Sequence, residues 1–85
     1  MDEMDAGAVY EMNPRQVVFE YRVNGEPRSA AIQGDALARI AGVGELYGTP
    51  QHIAAYQEYW QVIHKVAAEI HDQGRRPVTV RVDDL

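Results

Sequence analysis

An Asn-Gly pair between two alternating segments is the feature that most constrains how this chain can fold. Residues 17–23 alternate bulky apolar with polar side chains, which is the pattern of a half-buried strand. Asn24 and Gly25 tolerate the positive φ angles that a two-residue type I′ turn requires. A four-residue loop ending at Pro27 would shift the pairing by two residues and leave the same side chains on the apolar face. Either way, the sequence predicts a β-hairpin with one apolar side.

Two helices are predicted after the hairpin. Residues 34–42 form a short helix with glycine at both ends, because glycine favours the left-handed conformation that ends helices. A long helix starts at Thr49, with a capping hydroxyl, and Pro50 at the first helical position, and runs to Gln73. At about 36 Å it is longer than the ~30 Å expected for the body, so we expect its end to project or pair with another chain. One stripe of this helix is apolar: Ile53, Tyr56, Trp60, Ile63, Ala67 and Ile70.

The remaining segments complete an α+β fold. Residues 77–82 alternate again, with three valines on one face, and predict a third strand; residues 8–12 are compatible with a short fourth one. The predicted architecture is a three- to four-stranded, mainly antiparallel sheet packed on one face by a short helix and a long helix. We assign residues 1–12 to an acidic flexible tail and residues 13–85 to a single α+β domain.

Length and charge restrict the class of protein. Eighty-five residues make one domain, and no cysteine is present to form a disulfide or a thiolate metal site. The net charge of −5 comes mainly from the first twelve residues, since residues 13–85 carry eight basic and nine acidic side chains. This acidity counts against a domain that holds nucleic acid by its phosphates. The acidic start is unlike a signal peptide, and we expect a cytoplasmic protein with no membrane association.

Catalytic and metal-binding patterns are not predicted. The three histidines, His52, His64 and His71, are twelve and seven residues apart, which does not fit the three- or four-residue spacing of a helical metal pair. We interpret them as surface histidines beside the apolar stripe. Ser29, the single serine, has no nucleophile motif around it, and the glycine-containing loop at residues 42–48 has no basic residue for a phosphate. We therefore expect no enzyme activity and no cofactor.

A second apolar row on the long helix is the candidate partner surface. Tyr59, Val62 and Val66 lie beside the main stripe, and Tyr47 precedes the helix. A helix that is apolar over a wide arc is buried on more than one side. We expect this surface to bind a second copy of the chain or another protein, the alternative being burial beneath the short helix.

Three arginines form the candidate anion contact. Arg75 and Arg76 follow the long helix, where cations also interact favourably with the helix dipole, and Arg81 lies on the last predicted strand. They leave open a nucleic-acid-associated regulator as an alternative function. A further alternative is an inhibitor that presents its acidic residues to a basic site on another protein.

The motifs together resemble a family of short bacterial cytoplasmic proteins, about 85 residues long, catalogued only as a domain of unknown function. The resemblance rests on V-x-F-x-x-x-V-N-G-x-x-R in the hairpin, D-A-L-A-R-I at 35–40, G-R-R at 74–76 and the terminal V-D-D-L. It covers residues 13–85 and implies a compact α+β domain. It carries no activity, cofactor or catalytic residue.

Overall fold

The predicted hairpin is present in the computed structural model, which describes residues 2–85. Asn24 and Gly25 have φ angles of 53° and 81°, as a type I′ turn requires. The two-residue loop sets the register, so that Phe19 pairs with Ala30. The apolar face of the hairpin is therefore the one predicted from the alternation.

The sheet has four strands in the order β1-β2-β3-β4, and two helices complete an α+β domain. β1 and β3 pair antiparallel to β2, whereas β4, which follows both helices in the chain, pairs parallel to β3. The elements are β1 (Val9–Met12), β2 (Arg15–Val23), β3 (Glu26–Gln33), α1 (Gly34–Ala41), α2 (Gly48–Asp72), β4 (Thr79–Val80) and a 3-10 turn (Val82–Asp84).

The last strand is shorter than predicted. Val78 and Val80 are buried, but only two residues pair with β3 and the chain then turns at Val82 into the 3-10 turn. Asp84 stabilises this turn, because its carboxylate accepts the backbone N–H of Arg81 at 2.9 Å. Val82 is therefore half-buried in a turn and does not extend the strand.

Both helices lie close to where the glycines place them. Gly42 ends α1 with a φ of 75°, and its N–H donates to the carbonyl of Arg39. α2 begins without a hydroxyl cap from Thr49; the N–H of Tyr47 donates instead to the side chain of Gln51 at 2.8 Å. The helix end is therefore stabilised by the next turn and not by the threonine that the sequence indicated.

α2 is bent at Tyr59, where φ and ψ are −113° and 17°. A straight helix of 25 residues would be about 37 Å long. The longest dimension of the domain is 33 Å. The bend thus keeps α2 over the sheet, and across residues 2–85 no helix is both long and apolar enough to cross a membrane.

The core is a continuous cluster between the sheet and the helices. Tyr56, Ile63, Ala67 and Ile70 of the predicted stripe are buried, and Ile53 and Trp60 are half-buried. The sheet contributes the predicted inward residues Val17, Phe19, Tyr21, Ile32 and Val80. Burial of such side chains, at about 1.5–3 kcal/mol each, is the main source of stability.

Two of the three histidines are buried, and their interpretation as surface residues is wrong. His52 and His64 are 1% and 2% exposed, and only His71 is half-buried. His64 stacks on Phe19 with ring centroids 5.0 Å apart and meets the edge of Trp60. Apolar residues four positions before and after His64 were the signal that this side of the helix is covered.

The acidic N-terminal segment lies against β2. β1 covers only the first half of β2, so the backbone amides further along that edge have no strand partner. Asp5 accepts the N–H of Glu20 at 2.9 Å, and Asp2 accepts the N–H of Arg22 at 3.1 Å. Residues 2–8 of the segment that we assigned to an acidic tail therefore lie against β2, and residues 9–12 form the short fourth strand with which the sequence is compatible; Met1 lies outside the described residues.

Candidate functional site

The exposed side of α2 carries an apolar patch, which we call the Val62 face and define as Tyr59, Val62 and Val66. Val62 is 49% exposed, and the two neighbours are half-buried beside it. Val62 and Val66 are four residues apart and lie on one side of the helix, and Tyr59 precedes them at the bend of α2. The structure thus brings together three of the four residues of the candidate partner surface.

Tyr47, the fourth residue, is separate from the Val62 face. It is 64% exposed at the N-terminal end of α2. Twelve residues separate it from Tyr59, which corresponds to about 18 Å along a helix. Its hydroxyl interacts with Glu45, whose hydrogen bond and charge raise the pKa of the phenol. Tyr47 therefore belongs to the loop before α2.

The three arginines of the predicted anion contact line one shallow concavity of about 280 Å³, together with Pro77 and Thr79. The Arg75 guanidinium is committed to Asp84 at 2.8 Å, and this hydrogen bond lowers the pKa of the Asp84 carboxyl. The Arg76 guanidinium donates to backbone carbonyls, while that of Arg81 makes no hydrogen bond within residues 2–85. Arg76 and Arg81 form no ion pair within residues 2–85, and the Asp84 carboxylate offsets part of the charge of Arg81.

A buried hydrogen-bonded chain connects α2 to the N-terminal segment. The Nδ1 atom of His64 is 2.8 Å from Asp2 Oδ2, and its Nε2 atom is 2.7 Å from the Tyr56 hydroxyl. The same hydroxyl accepts the N–H of Asp5 at 3.0 Å. All groups are satisfied when His64 donates from Nδ1 to the carboxylate and accepts at Nε2 from the tyrosine.

This chain of ionisable groups has the composition of a proton relay but is closed to substrates. Tyr56 and His64 are fully enclosed by the core, and both hydrogen-bonding positions of each are occupied. Burial is the main cause that raises the pKa of Tyr56 to about 12. The arrangement can hold the N-terminal segment in place, because breaking it leaves buried polar atoms without partners.

Residues 2–85 contain no group of three histidine, aspartate or glutamate side chains placed to hold a metal ion. Ser29 is exposed on β3, and no histidine accepts a hydrogen bond from it. Three surfaces have features suited to binding: the Val62 face, the arginine concavity and a cleft beside His52 that the sequence did not indicate.

No family model, curated protein or solved structure matches this chain. We therefore derive function from the geometry of the described residues.

Proposed function

We propose that this protein is a small, non-enzymatic interaction domain that forms a homodimer through the Val62 face. The carrying observation is Val62, an apolar side chain 49% exposed on the longest helix, flanked by Tyr59 and Val66, which pack partly against the core and remain half-buried. Contiguous apolar surface of this kind, unlike scattered apolar side chains, marks interaction surfaces. The inaccessible position of the Tyr56–His64 pair supports the non-enzymatic part of the proposal.

The charges around the Val62 face favour a second copy as the occupant. Glu58 precedes Val62 by four residues, on the other side of the bend at Tyr59, and Lys65 follows Val62 by three residues, about 4.5 Å along the helix. Both are exposed, and neither forms an ion pair within residues 2–85. A two-fold axis through Val62 reverses the helix direction, so Glu58 of one copy meets Lys65 of the other. The surface is therefore self-complementary, as a two-fold interface must be.

The interface is small. A standard interface of about 800 Å² per partner would cover about 15% of the 5265 Å² surface of this chain. One helix face provides less than this, so we expect a reversible dimer with a Kd on the order of tens of micromolar.

The substitution Val62→Glu is expected to weaken the dimer at least tenfold. It places two carboxylates against each other across the symmetry axis and removes the apolar centre of the interface. Sedimentation equilibrium over a concentration series measures the Kd. Gln57→Glu is the matched control, because it adds the same charge to an exposed position on another side of α2 and should leave the Kd unchanged.

A charge-exchange experiment tests the pairing itself. Glu58→Lys alone and Lys65→Glu alone should each weaken the dimer, because each creates like charges across the two-fold axis. The variant that carries both substitutions should recover the wild-type Kd. A monomeric wild type at hundreds of micromolar, or a double variant as weak as the single ones, would exclude this dimer.

The arginine concavity supports a second candidate function, binding of a nucleic-acid phosphate backbone. Its specific support is the convergence of Arg76 and Arg81 in one concavity with no carboxylate paired to either. With two to three phosphate contacts, log K should fall with log salt at a slope of about −1.5 to −2 for a single strand. We expect weak binding, because the protein as a whole carries a net charge of −5.

Fluorescence anisotropy with a labelled single-stranded oligonucleotide at low salt checks this second candidate. Arg76→Ala combined with Arg81→Ala should abolish the salt-dependent binding. Arg39→Ala, an exposed arginine on α1, is the matched control and should have little effect. If the control weakens binding as much as the double variant, the attraction is nonspecific and the concavity is not a site.

A further inference from the structure

A cleft between α1 and the start of α2 has a volume of about 370 Å³. This volume is in the range of small-molecule sites. Its walls carry the side chains of Arg15, Asp35, Glu45 and His52, and Ala38 and Leu46 give it an apolar part. An apolar surface with a few convergent polar groups is the usual composition of a ligand site.

His52 presents an unpartnered nitrogen at this cleft. The residue is 1% exposed, and Tyr10 stacks on its ring with centroids 4.1 Å apart. Its Nδ1 atom is 2.7 Å from the carbonyl oxygen of Gly48, so Nδ1 carries the proton and donates. The Nε2 atom of the uncharged ring is then an acceptor. Nε2 makes no hydrogen bond within residues 2–85.

A glycine leaves Nε2 open. A Cβ atom placed on Gly34 would lie 3.1 Å from His52 Nε2, closer than ordinary van der Waals contact. No positive φ angle requires glycine at this first position of α1. The absence of a side chain at residue 34 therefore has a consequence at the cleft, since any larger residue would cover the nitrogen.

The charges at the cleft select a positively charged hydrogen-bond donor. Arg15 and Glu45 are paired at 3.4 Å and compensate each other. Asp35 uses one oxygen to accept the N–H of Ala36 at 2.8 Å and is not part of an ion pair. The Arg15 guanidinium keeps further N–H donors, but two carboxylates face this one cation, so the cleft carries a net negative charge. Its acceptors with no hydrogen-bond partner within residues 2–85 are the second Asp35 oxygen and His52 Nε2.

We propose that this cleft binds a small primary ammonium ion with a short apolar body. His52 Nε2 accepts one of its three N–H groups, Asp35 supplies the opposite charge, and Leu46 and Ala38 contact the carbon chain. An anion would face the lone pair of Nε2 and the carboxylate of Asp35, so the same cleft should discriminate against it.

NMR titration with three matched probes tests this proposal. n-Butylammonium should shift the imidazole signals of His52 and the amide signal of Gly34, with millimolar affinity. n-Butanol tests the apolar contact alone, and butyrate tests the opposite charge; we expect both to bind at least tenfold more weakly. Equal shifts with butyrate would overturn the ammonium assignment in favour of an anion site, and no shift with any probe would overturn the site.

Two glycines of the same cleft provide the variant and its control. Gly34→Ala should weaken n-butylammonium binding at least tenfold, because its methyl group covers Nε2. Gly44→Ala also adds a methyl group at the cleft wall, but a Cβ there has no atom within 4 Å and no positive φ opposes it, so binding should weaken much less than with Gly34→Ala. Asp35→Asn keeps an oxygen for the Ala36 amide, so it tests the charge in a chain that retains the helix start; it should weaken binding several-fold. Binding that is unaffected by both Gly34→Ala and Asp35→Asn would refute the assignment.

Discussion

Deletion of residues 2–7 is expected to destabilise the protein by about 3 kcal/mol, although this segment has no regular secondary structure. The deletion removes the carboxylate that accepts from His64 and the backbone N–H that donates to Tyr56. Buried groups that lose such partners cost about 1–3 kcal/mol each, and the packing of Met4 against the core is lost as well. For a domain of this size the melting temperature should fall by roughly 15 °C, as measured by circular dichroism.

Two single substitutions separate this explanation from a general effect of acidic charge. Asp2→Ala should reproduce a large part of the loss, because Asp2 reaches both His64 and the Arg22 amide. Glu3→Ala removes the same charge from the adjacent position, where the carboxylate is exposed and only 3.7 Å from a guanidinium nitrogen of Arg22. Exposed pairs of this kind contribute little, so its effect should be under about 0.5 kcal/mol. Equal effects of the two substitutions would contradict the structural role of Asp2.

Tyr56→Phe is expected to cost about 2 kcal/mol at neutral pH, whereas Tyr21→Phe should change stability by less than about 0.5 kcal/mol. Both tyrosines are almost completely buried, and each substitution removes one hydroxyl. The Tyr56 hydroxyl makes two hydrogen bonds, and its removal leaves His64 Nε2 and the Asp5 amide without partners. The Tyr21 hydroxyl is buried with no partner among the described residues, so nothing is left unsatisfied when it is removed. Urea unfolding of the three proteins measures the difference, and similar costs for both variants would show that the chain through His64 does not contribute.

Because the pKa of Tyr56 is raised, we expect the protein to lose stability in alkali. Burial raises the pKa of Tyr56 from 10.0 to about 12, with the Asp5 and Asp2 carboxylates adding to the effect and the Asp5 N–H opposing it. The unfolded chain therefore releases this proton near pH 10, before the folded protein does. The contribution of the protonated Tyr56 hydroxyl to the free energy of unfolding is complete below pH 10. It is lost as the pH rises towards 12, by about 3 kcal/mol in total.

Comparison with Tyr56→Phe isolates this contribution, because the other tyrosines, including Tyr21 with its own raised pKa, are present in both proteins. The free energy of unfolding should fall more steeply with pH for the wild type than for the variant above pH 10. Parallel curves for the two proteins would show that Tyr56 ionises as easily in the folded state as in the unfolded chain.

The elements that follow local rules were predictable. The hairpin depends on two adjacent residues that accept positive φ, and the end of α1 depends on Gly42. The second apolar row on α2 follows from helical spacing, so Tyr59, Val62 and Val66 could be grouped in advance. Tyr47 could not be excluded from that group, because the conformation of the loop, and so the distance of Tyr47 from the row, does not follow from the sequence.

The environment of the histidines was less accessible to sequence reasoning. The spacing rule for metal ligands does not reveal the environment of His52 and His64, because their hydrogen-bond partners are a backbone carbonyl, a tyrosine and an aspartate. The cleft beside His52 depends on Gly34. In the sequence alone, this glycine indicates only the start of a helix. Its second role, leaving Nε2 uncovered, exists only where α1 and α2 approach each other.

The sequence by itself determined the hairpin, the two helices and the main apolar stripe of α2, because turn conformation and side-chain periodicity depend on neighbours within a few residues; it did not place His52 and His64 in the core. Only the tertiary structure decided the parallel pairing of β4, the bend of α2 at Tyr59 and the position of the N-terminal segment. Asp2 and His64 are 62 positions apart in the chain, and their hydrogen bond forms only after the sheet and α2 have packed. No local sequence pattern predicts such a contact. Asp2 is positioned by the buried His64 and by the unpaired edge of β2, and both of these exist only in the complete fold.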